Sequence, residues 1–253
     1  MEKQWVAGRP SFLISRVGGA IPLCQGCQHG TASKVMAEAV EEMGVGDDAI
    51  IITGVGCSSG IIFQFSFDGV MAAHGRPPDA ASAVKRCLGG RPIVITYQGD
   101  GDCISIGTEP LIQAASRAER ITVIMANNAN YGTTGGQMAP TSIMGQVTTT
   151  SPEGRGPRQG YPIDTAQLLV GIKGVAYSAR GALTSAAEYQ RTKNYIKRAI
   201  QKQKDDIGFS FVEILVACPP NWRLSPLECL DWIEQKMIAT HPLGEFKNVD
   251  KLD

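Results

Sequence analysis

Four short runs of apolar, largely β-branched residues stand out along the chain: AIIIT at 49–53, PIVITY at 92–97, ITVIMA at 121–126 and FSFVEILV at 209–216. Each is short for a helix and predicts a strand buried on both faces. Helical patterns lie between them. Residues 31–43 place Val35, Met36, Ala39, Val40 and Met43 on one face, with Thr31 or Ser33 available as the cap. Further helices are predicted over 79–88, 105–118, 164–172, 184–204 and 225–238; the second of these carries Ile106 near its start and Leu111, Ile112 and Ala115 on its apolar face. Residues 141–162, rich in Thr, Ser, Gly, Pro and Arg, predict a long loop of the kind that is functional or mobile. Strands alternating with helices predict an α/β fold, a mostly parallel sheet with helices on both faces. With no internal repeat, residues 1–253 read as one domain.

Composition narrows the class. Lys+Arg and Asp+Glu are both 24, so the formal net charge is zero, and hydrophobic residues make up 43%. That content supports a core and excludes a disordered chain. Neither a basic nor an acidic excess points to nucleic acid or to a membrane surface. No apolar run approaches the ~18 residues of a spanning helix, and MEKQWVAGRP lacks the apolar centre of an export signal. The expectation is a soluble, cytoplasmic protein with no nucleic-acid or membrane partner. Seven Cys is an odd number in such a chain, which favours metal, cluster or redox use over disulfides. Cys24 and Cys27 form the only C-x-x-C, and a pair of thiols packed in a turn is its plain alternative.

Three of the strands run into glycine-rich polar loops: GVGCSSG, GDGD and NNANYGTTGG. In a parallel sheet these loops share one edge, where ligands bind, and glycine lets backbone approach a phosphate. GVGCSSG resembles a dinucleotide fingerprint, but no strand ending in Asp or Glu follows about 20 residues on, and there is no Gly-Lys-Ser or Gly-Lys-Thr of a P-loop. DGDCISIGTE lacks the EF-hand spacing. Asp100 after one strand and Asn127–Asn128 after the next bring a carboxylate, an amide oxygen and a carbonyl together, hard oxygens suited to Mg²⁺ with a diphosphate. The competing reading makes Asp100 a helix cap and the Asn pair a turn; the two ends occurring together at a βαβ separation favours the metal.

GDG followed by 25 residues and then NN resembles the signature of thiamine-diphosphate enzymes. The resemblance implies that Asp100, Asn128 and the carbonyl of Asn130 hold Mg²⁺. It also makes His29, Cys57, Ser58, Gly99, Gly101, Asp102, Gly132, Thr133 and Thr134 cofactor-binding candidates. LCQGCQHG, GVGCSSG, AHGR, TYQGDGD, NNANYGTTGGQMAPT, GYP and VEILVACPPNW resemble, in order, segments of the β subunits of 2-oxoacid:ferredoxin oxidoreductases, closest to the 2-oxoisovalerate and 2-oxoglutarate members. That family implies a 4Fe–4S cluster on Cys24, Cys27, Cys57 and Cys218, in loops at 20–30, 54–60 and 215–222. Four thiolates and a Cys-Pro pair suit a cluster; zinc is the rival for a Cys₄ set. The implied activity is oxidation of a 2-oxoacid to acyl-coenzyme A and CO₂, with electrons passing through the cluster to ferredoxin. A non-oxidative thiamine-diphosphate decarboxylase or transferase subunit and a zinc or electron-transfer module are the alternatives. The carboxylate that activates the cofactor is expected on an α subunit, with γ and δ subunits as further partners, so turnover is expected to need a partner chain.

Gln25 replaces the family's usual Pro, Gln28 a Gly or Thr, Asn130 an aliphatic residue and Thr133 a Leu or Met. GVGCSSG carries no basic residue, which favours branched-chain or aromatic 2-oxoacids over dicarboxylic ones. His74 is a weaker site candidate. Cys87, Cys103 and Cys229 read as buried thiols, the Arg and Lys residues of 155–204 as solvated, and Trp5, Trp222 and Trp232 as packing or interface residues.

Overall fold

The computed structural model describes residues 23–252, so Trp5 and the first residues of the 20–30 loop lie outside the described chain. All four apolar runs are strands: β1 (Ala49–Thr53), β3 (Ile93–Gly99), β4 (Thr122–Asn127) and β6 (Phe209–Leu215). Three further strands join them: β2 (Asp68–Met71), β5 (Val175–Ala182) and β7 (Gly244–Asn248). The order is β2-β1-β3-β4-β6-β5-β7, parallel throughout except for β7, which runs antiparallel to β5. Pattern reading misses these three for identifiable reasons. β2 is exposed along its length at the sheet edge, and β5 spells VAYSARGA, whose burial is supplied by neighbours rather than by its own hydrophobicity.

Consecutive residues of each buried strand face opposite sides. Ile51, Ile95, Ile124 and Ile214 pack with α1 (His29–Glu42) and α6 (Ala186–Lys204). Ile52, Val94, Val123 and Phe211 pack with α2 (Pro77–Cys87), α4 (Thr108–Ser116) and α5 (Thr165–Leu168). The helix predicted over 105–118 starts later, at Thr108, as α4; a separate short helix, α3 (Asp100–Ile104), precedes it, and the turn between them leaves Ile106 exposed. α1 begins at His29, ahead of Thr31. Its cap position is Gln28, and Ser33 instead bonds back to the His29 carbonyl at 2.7 Å. After β6 come α7 (Pro219–Trp222) and α8 (Pro226–Trp232), the latter closed by a Ser225–Glu228 capping box, and then α9 (Ile238–Thr240). Trp222 and Trp232 pack against each other, their rings tilted by 43° with centroids 4.3 Å apart.

The long loop expected over 141–162 is present, and two other expectations are corrected. The 141–162 loop is tied down by Arg155, only 5% exposed, whose guanidinium donates to the carbonyls of Ala139, Pro140, Ser142, Gly160 and Tyr161. Arg155 and the fully buried Arg180 are therefore not solvated, because each finds carbonyl or carboxylate partners that local sequence does not reveal. Cys103 and Cys229 are buried as expected, but Cys87 is exposed, at the last position of α2. Among the described residues no helix is long and apolar enough to cross a membrane.

Candidate active site

Parallel pairing puts the ends of β1, β2, β3, β4 and β6 on one edge. The chain leaves β1 toward β2 and returns through α2 to β3 on the other side of β1, which opens a crevice at this edge. A cavity of about 230 Å³ lies there. Every cofactor-binding candidate lines it: Gly99, Asp100, Gly101 and Asp102 from the end of β3, Asn128, Asn130, Gly132, Thr133 and Thr134 from the loop after β4, Cys57 and Ser58 from the loop after β1, and His29 from the start of α1. Val55, Tyr131 and His74 line it as well.

Asp100 is 2% exposed and receives a short hydrogen bond from Thr141. Burial pushes its carboxyl up to about 7, against the opposing hydrogen bonds from Thr141 and backbone N–H groups. Gly101 beside it must be bare, because a side chain there would run into the Tyr131 ring. The two asparagines of the NN pair divide. Asn127 points into the protein, donating to Glu213 at 2.7 Å and accepting from Ala129 N–H at 2.9 Å. Asn128 faces the cavity, and its amide oxygen accepts only from Asn130 N–H at 3.2 Å. Between them and Asn130, Ala129 sits at φ +55°, a conformation that costs a non-glycine residue energy. Ser142 and Gln146 both donate to its carbonyl and hold it there. The set Asp100, Asn128 and Asn130 carbonyl offers one carboxylate and neutral oxygens, which suits a cation that also takes water and phosphate oxygens.

The four candidate thiols come from three distant segments. Burial raises the Cys27 thiol to about 12, and Cys218, Cys57 and Cys24 are near enough to push it further the same way. Cys57 Sγ lies 3.0 Å from Thr133 Oγ1. Asn221 donates to Cys218 Sγ at 3.3 Å and to the Gly132 carbonyl at 3.0 Å. The Gly132–Thr133 turn of the cavity is thus in contact with the thiol group on both sides. Gln28, the departure from the family pattern, clamps the C-x-x-C turn to the sheet: its amide accepts from Ala217 N–H at 2.8 Å and donates to the Leu183 carbonyl at 2.9 Å. Among the described residues no group of three or more His, Cys, Asp or Glu is arranged to hold a single metal ion.

His29 is buried, bonded through Nδ1 to Tyr97 OH at 2.8 Å, and burial lowers it to about 4, so it stays neutral. Asp102 accepts from Gly75 N–H at 2.7 Å and from Gln98 at 2.8 Å, so its carboxylate is largely committed to protein donors. Sequence reading did not single out Gln28, Thr141, Asn221 or Trp222, whose indole N–H donates to the Asn128 carbonyl at 3.1 Å, as site residues. Thr141, Asn221 and Trp222 lie inside the recognised segments, and their adjacency to Cys218-Pro or to the asparagine loop was the available signal.

The thiamine pyrophosphate enzyme C-terminal TPP-binding domain matches residues 54–214. The ketoisovalerate oxidoreductase subunit VorA of Methanothermobacter marburgensis is 37% identical over 241 residues, 93% of this chain and 50% of that protein. The chain thus spans about half the length of the ketoisovalerate relatives it matches. The 2-oxoglutarate synthase subunit KorB of Methanocaldococcus jannaschii is 34% identical over 248 residues, 90% of this chain and 87% of that one. In fold, the chain matches a 2-oxoglutarate:ferredoxin oxidoreductase of Magnetococcus marinus solved with 2-oxoglutarate, coenzyme A and succinyl-CoA bound. The TM-score is 0.80 at 23% identity, covering 99% of this chain and 87% of that one.

Proposed function

The chain belongs to the thiamine-pyrophosphate-binding subunits of the 2-oxoacid:ferredoxin oxidoreductases, and on that footing we propose that it forms the diphosphate half of an enzyme converting a 2-oxoacid and coenzyme A to acyl-CoA and CO₂. The observation that carries this reading is the shared Gly132–Thr133 turn, which borders the cavity and touches Cys57 directly and Cys218 through Asn221. Thiamine diphosphate, when bound, supplies the electron sink for loss of CO₂. Asp100, Asn128 and the Asn130 carbonyl would hold its Mg²⁺. Cys24, Cys27, Cys57 and Cys218 would hold a 4Fe–4S cluster within reach of the same turn, so electrons leave without crossing the protein. Ferredoxin is the acceptor. The carboxylate that activates the cofactor comes from a partner chain carrying the pyrimidine-binding domain.

Among the described residues no Lys or Arg lines the cavity, while Val55 and Tyr131 do. This favours a 2-oxoacid with an apolar side chain over one with a second carboxylate, since a buried distal carboxylate needs a partner. The test is anaerobic purification with the partner chain, followed by iron and sulfide analysis and ferredoxin reduction with a panel of 2-oxoacids. The expected result is four irons per chain and highest kcat/KM with branched-chain or aromatic acids. An iron-free protein that releases CO₂ without reducing ferredoxin would instead mark a non-oxidative decarboxylase.

A further inference from the structure

The reaction proposed above leaves a proton to be placed. A 2-oxoacid carboxylate and a thiol become a thioester and CO₂ with release of two electrons and one proton. The electrons go to the iron–sulfur acceptor; the proton needs a group in the cavity. Asp100 is committed to the cation, and His29, though it lines the cavity, has Nδ1 bonded to Tyr97 and is lowered by burial to about 4, which makes it a poor proton acceptor. Among the described residues no Lys or Arg lines the space.

His74 remains. It lies in the loop after β2 and lines the cavity, with 36% of its side chain exposed. Its Nδ1 sits 2.5 Å from Asp102 Oδ1. The pair stands at ion-pair distance with Nδ1 making no directed hydrogen bond, so the carboxylate acts on the ring through proximity and charge. The arrangement is built, not incidental. Gly75, at φ +77°, packs so closely on Ile106 and Gly107 that no side chain fits, and its N–H donates to the same carboxylate oxygen. Gln98 fixes the other oxygen at 2.8 Å. Gly54 must also be bare, since a side chain there would strike Asp102.

We propose that His74, positioned by Asp102, is the proton-accepting residue of this site, resting on the oxidoreductase reading above. The thiol S–H bond breaks, an N–H bond forms on the imidazole, and the sulfur electron pair makes the new carbon–sulfur bond as the acyl carbon's bond to its carrier breaks, that electron pair staying with the carrier. The imidazolium then returns its proton to solvent.

The chain has three His, and the other two, His29 and His241, are 1% and 0% exposed, which permits a selective test. The complex with its partner chain is treated with diethyl pyrocarbonate and its peptides are weighed. His74 alone should be modified, and thiamine diphosphate with Mg²⁺ and coenzyme A should slow that at least about tenfold. His74→Gln should bind the cofactor as the wild type does, keep its KM and lose about a hundredfold in kcat, and Asp102→Asn should lose kcat likewise. An unreactive or unprotected His74, weakened cofactor binding in His74→Gln, or a wild-type kcat in that variant would each overturn the assignment. Protection is read by mass without turnover. A complex that oxidises no 2-oxoacid would therefore defeat the proposed function separately from the placement of His74.

Discussion

Two carboxylates are buried on the same side of the molecule with β4 between them, and the protein treats them in opposite ways. Glu213, on β6 and fully buried, receives Arg180 Nε at 2.8 Å and the Asn127 amide at 2.7 Å. Arg180 also bonds Asp164 and donates to the Pro242 carbonyl at 2.9 Å. Burial alone would lower this guanidinium, yet Glu213 and Asp164 together carry it above its ordinary value. Asp100 has only the Thr141 hydroxyl and backbone N–H groups, and Glu213 pushes it further up. One charge is neutralised from within the chain; the other is left without a protein cation beside an open cavity. Ionised, a buried charge of the second kind is costly unless a cation arrives with a ligand, which accords with the proposed Mg²⁺.

Substitution should separate the two regions. Arg180→Met strands Glu213 and Asp164, and should cost about 3–5 kcal/mol of stability, read from the urea midpoint. An unchanged midpoint would mean the network contributes nothing. Asp100→Asn should act the other way. The unliganded protein should keep or raise its thermal midpoint, because a buried charge has been removed. The rise on adding thiamine diphosphate with Mg²⁺, about 2.7 kcal/mol at a hundredfold excess over Kd, should vanish. A variant that is still stabilised by the cofactor would remove Asp100 from the anchor. The smallest effect concerns the rim of the Arg180 network. Burial raises Glu245, but donors from Tyr177, Asn248 and Arg198 outweigh it and hold the carboxyl below the usual range. A depressed carboxyl contributes stability above its unfolded value of roughly 4.3 and loses it as pH falls through the folded one. The pairing of β7 with β5 should therefore loosen only in acid, by roughly 1 kcal/mol or less for so exposed a group. Amide exchange of Gly244–Asn248 at decreasing pH reads this, and exchange that accelerates already at neutral pH would contradict it.

Much of the sheet was legible because its centre is self-declaring. β1, β3, β4 and β6 are short β-branched runs buried on both faces, and nothing else in the chain reads that way. β5 was not legible: VAYSARGA is a strand only because β6 and β7 flank it, and its Arg is tolerated there because two carboxylates from other segments meet it. The cavity shows the same division. The GDG and NN segments, and the cysteines by type, announce themselves through local spacing. The different fates of Asn127 and Asn128 do not, since adjacent residues at a strand end face opposite ways and only the packing says which way is in.

By itself, the sequence determined the α/β class, the edge where the glycine loops gather and the residue types available for a diphosphate, a cation and a cluster, because each is written in contiguous residues. Only the tertiary structure decided which buried acid has a cation, that Gln28 and Asn221 join the thiol segments to the sheet and the cavity, and that Asp102 lies against His74. Those are contacts between segments from 3 to 189 residues apart. Chain proximity does not encode most of them, and burial, which sets their strength, exists only once the layers have packed.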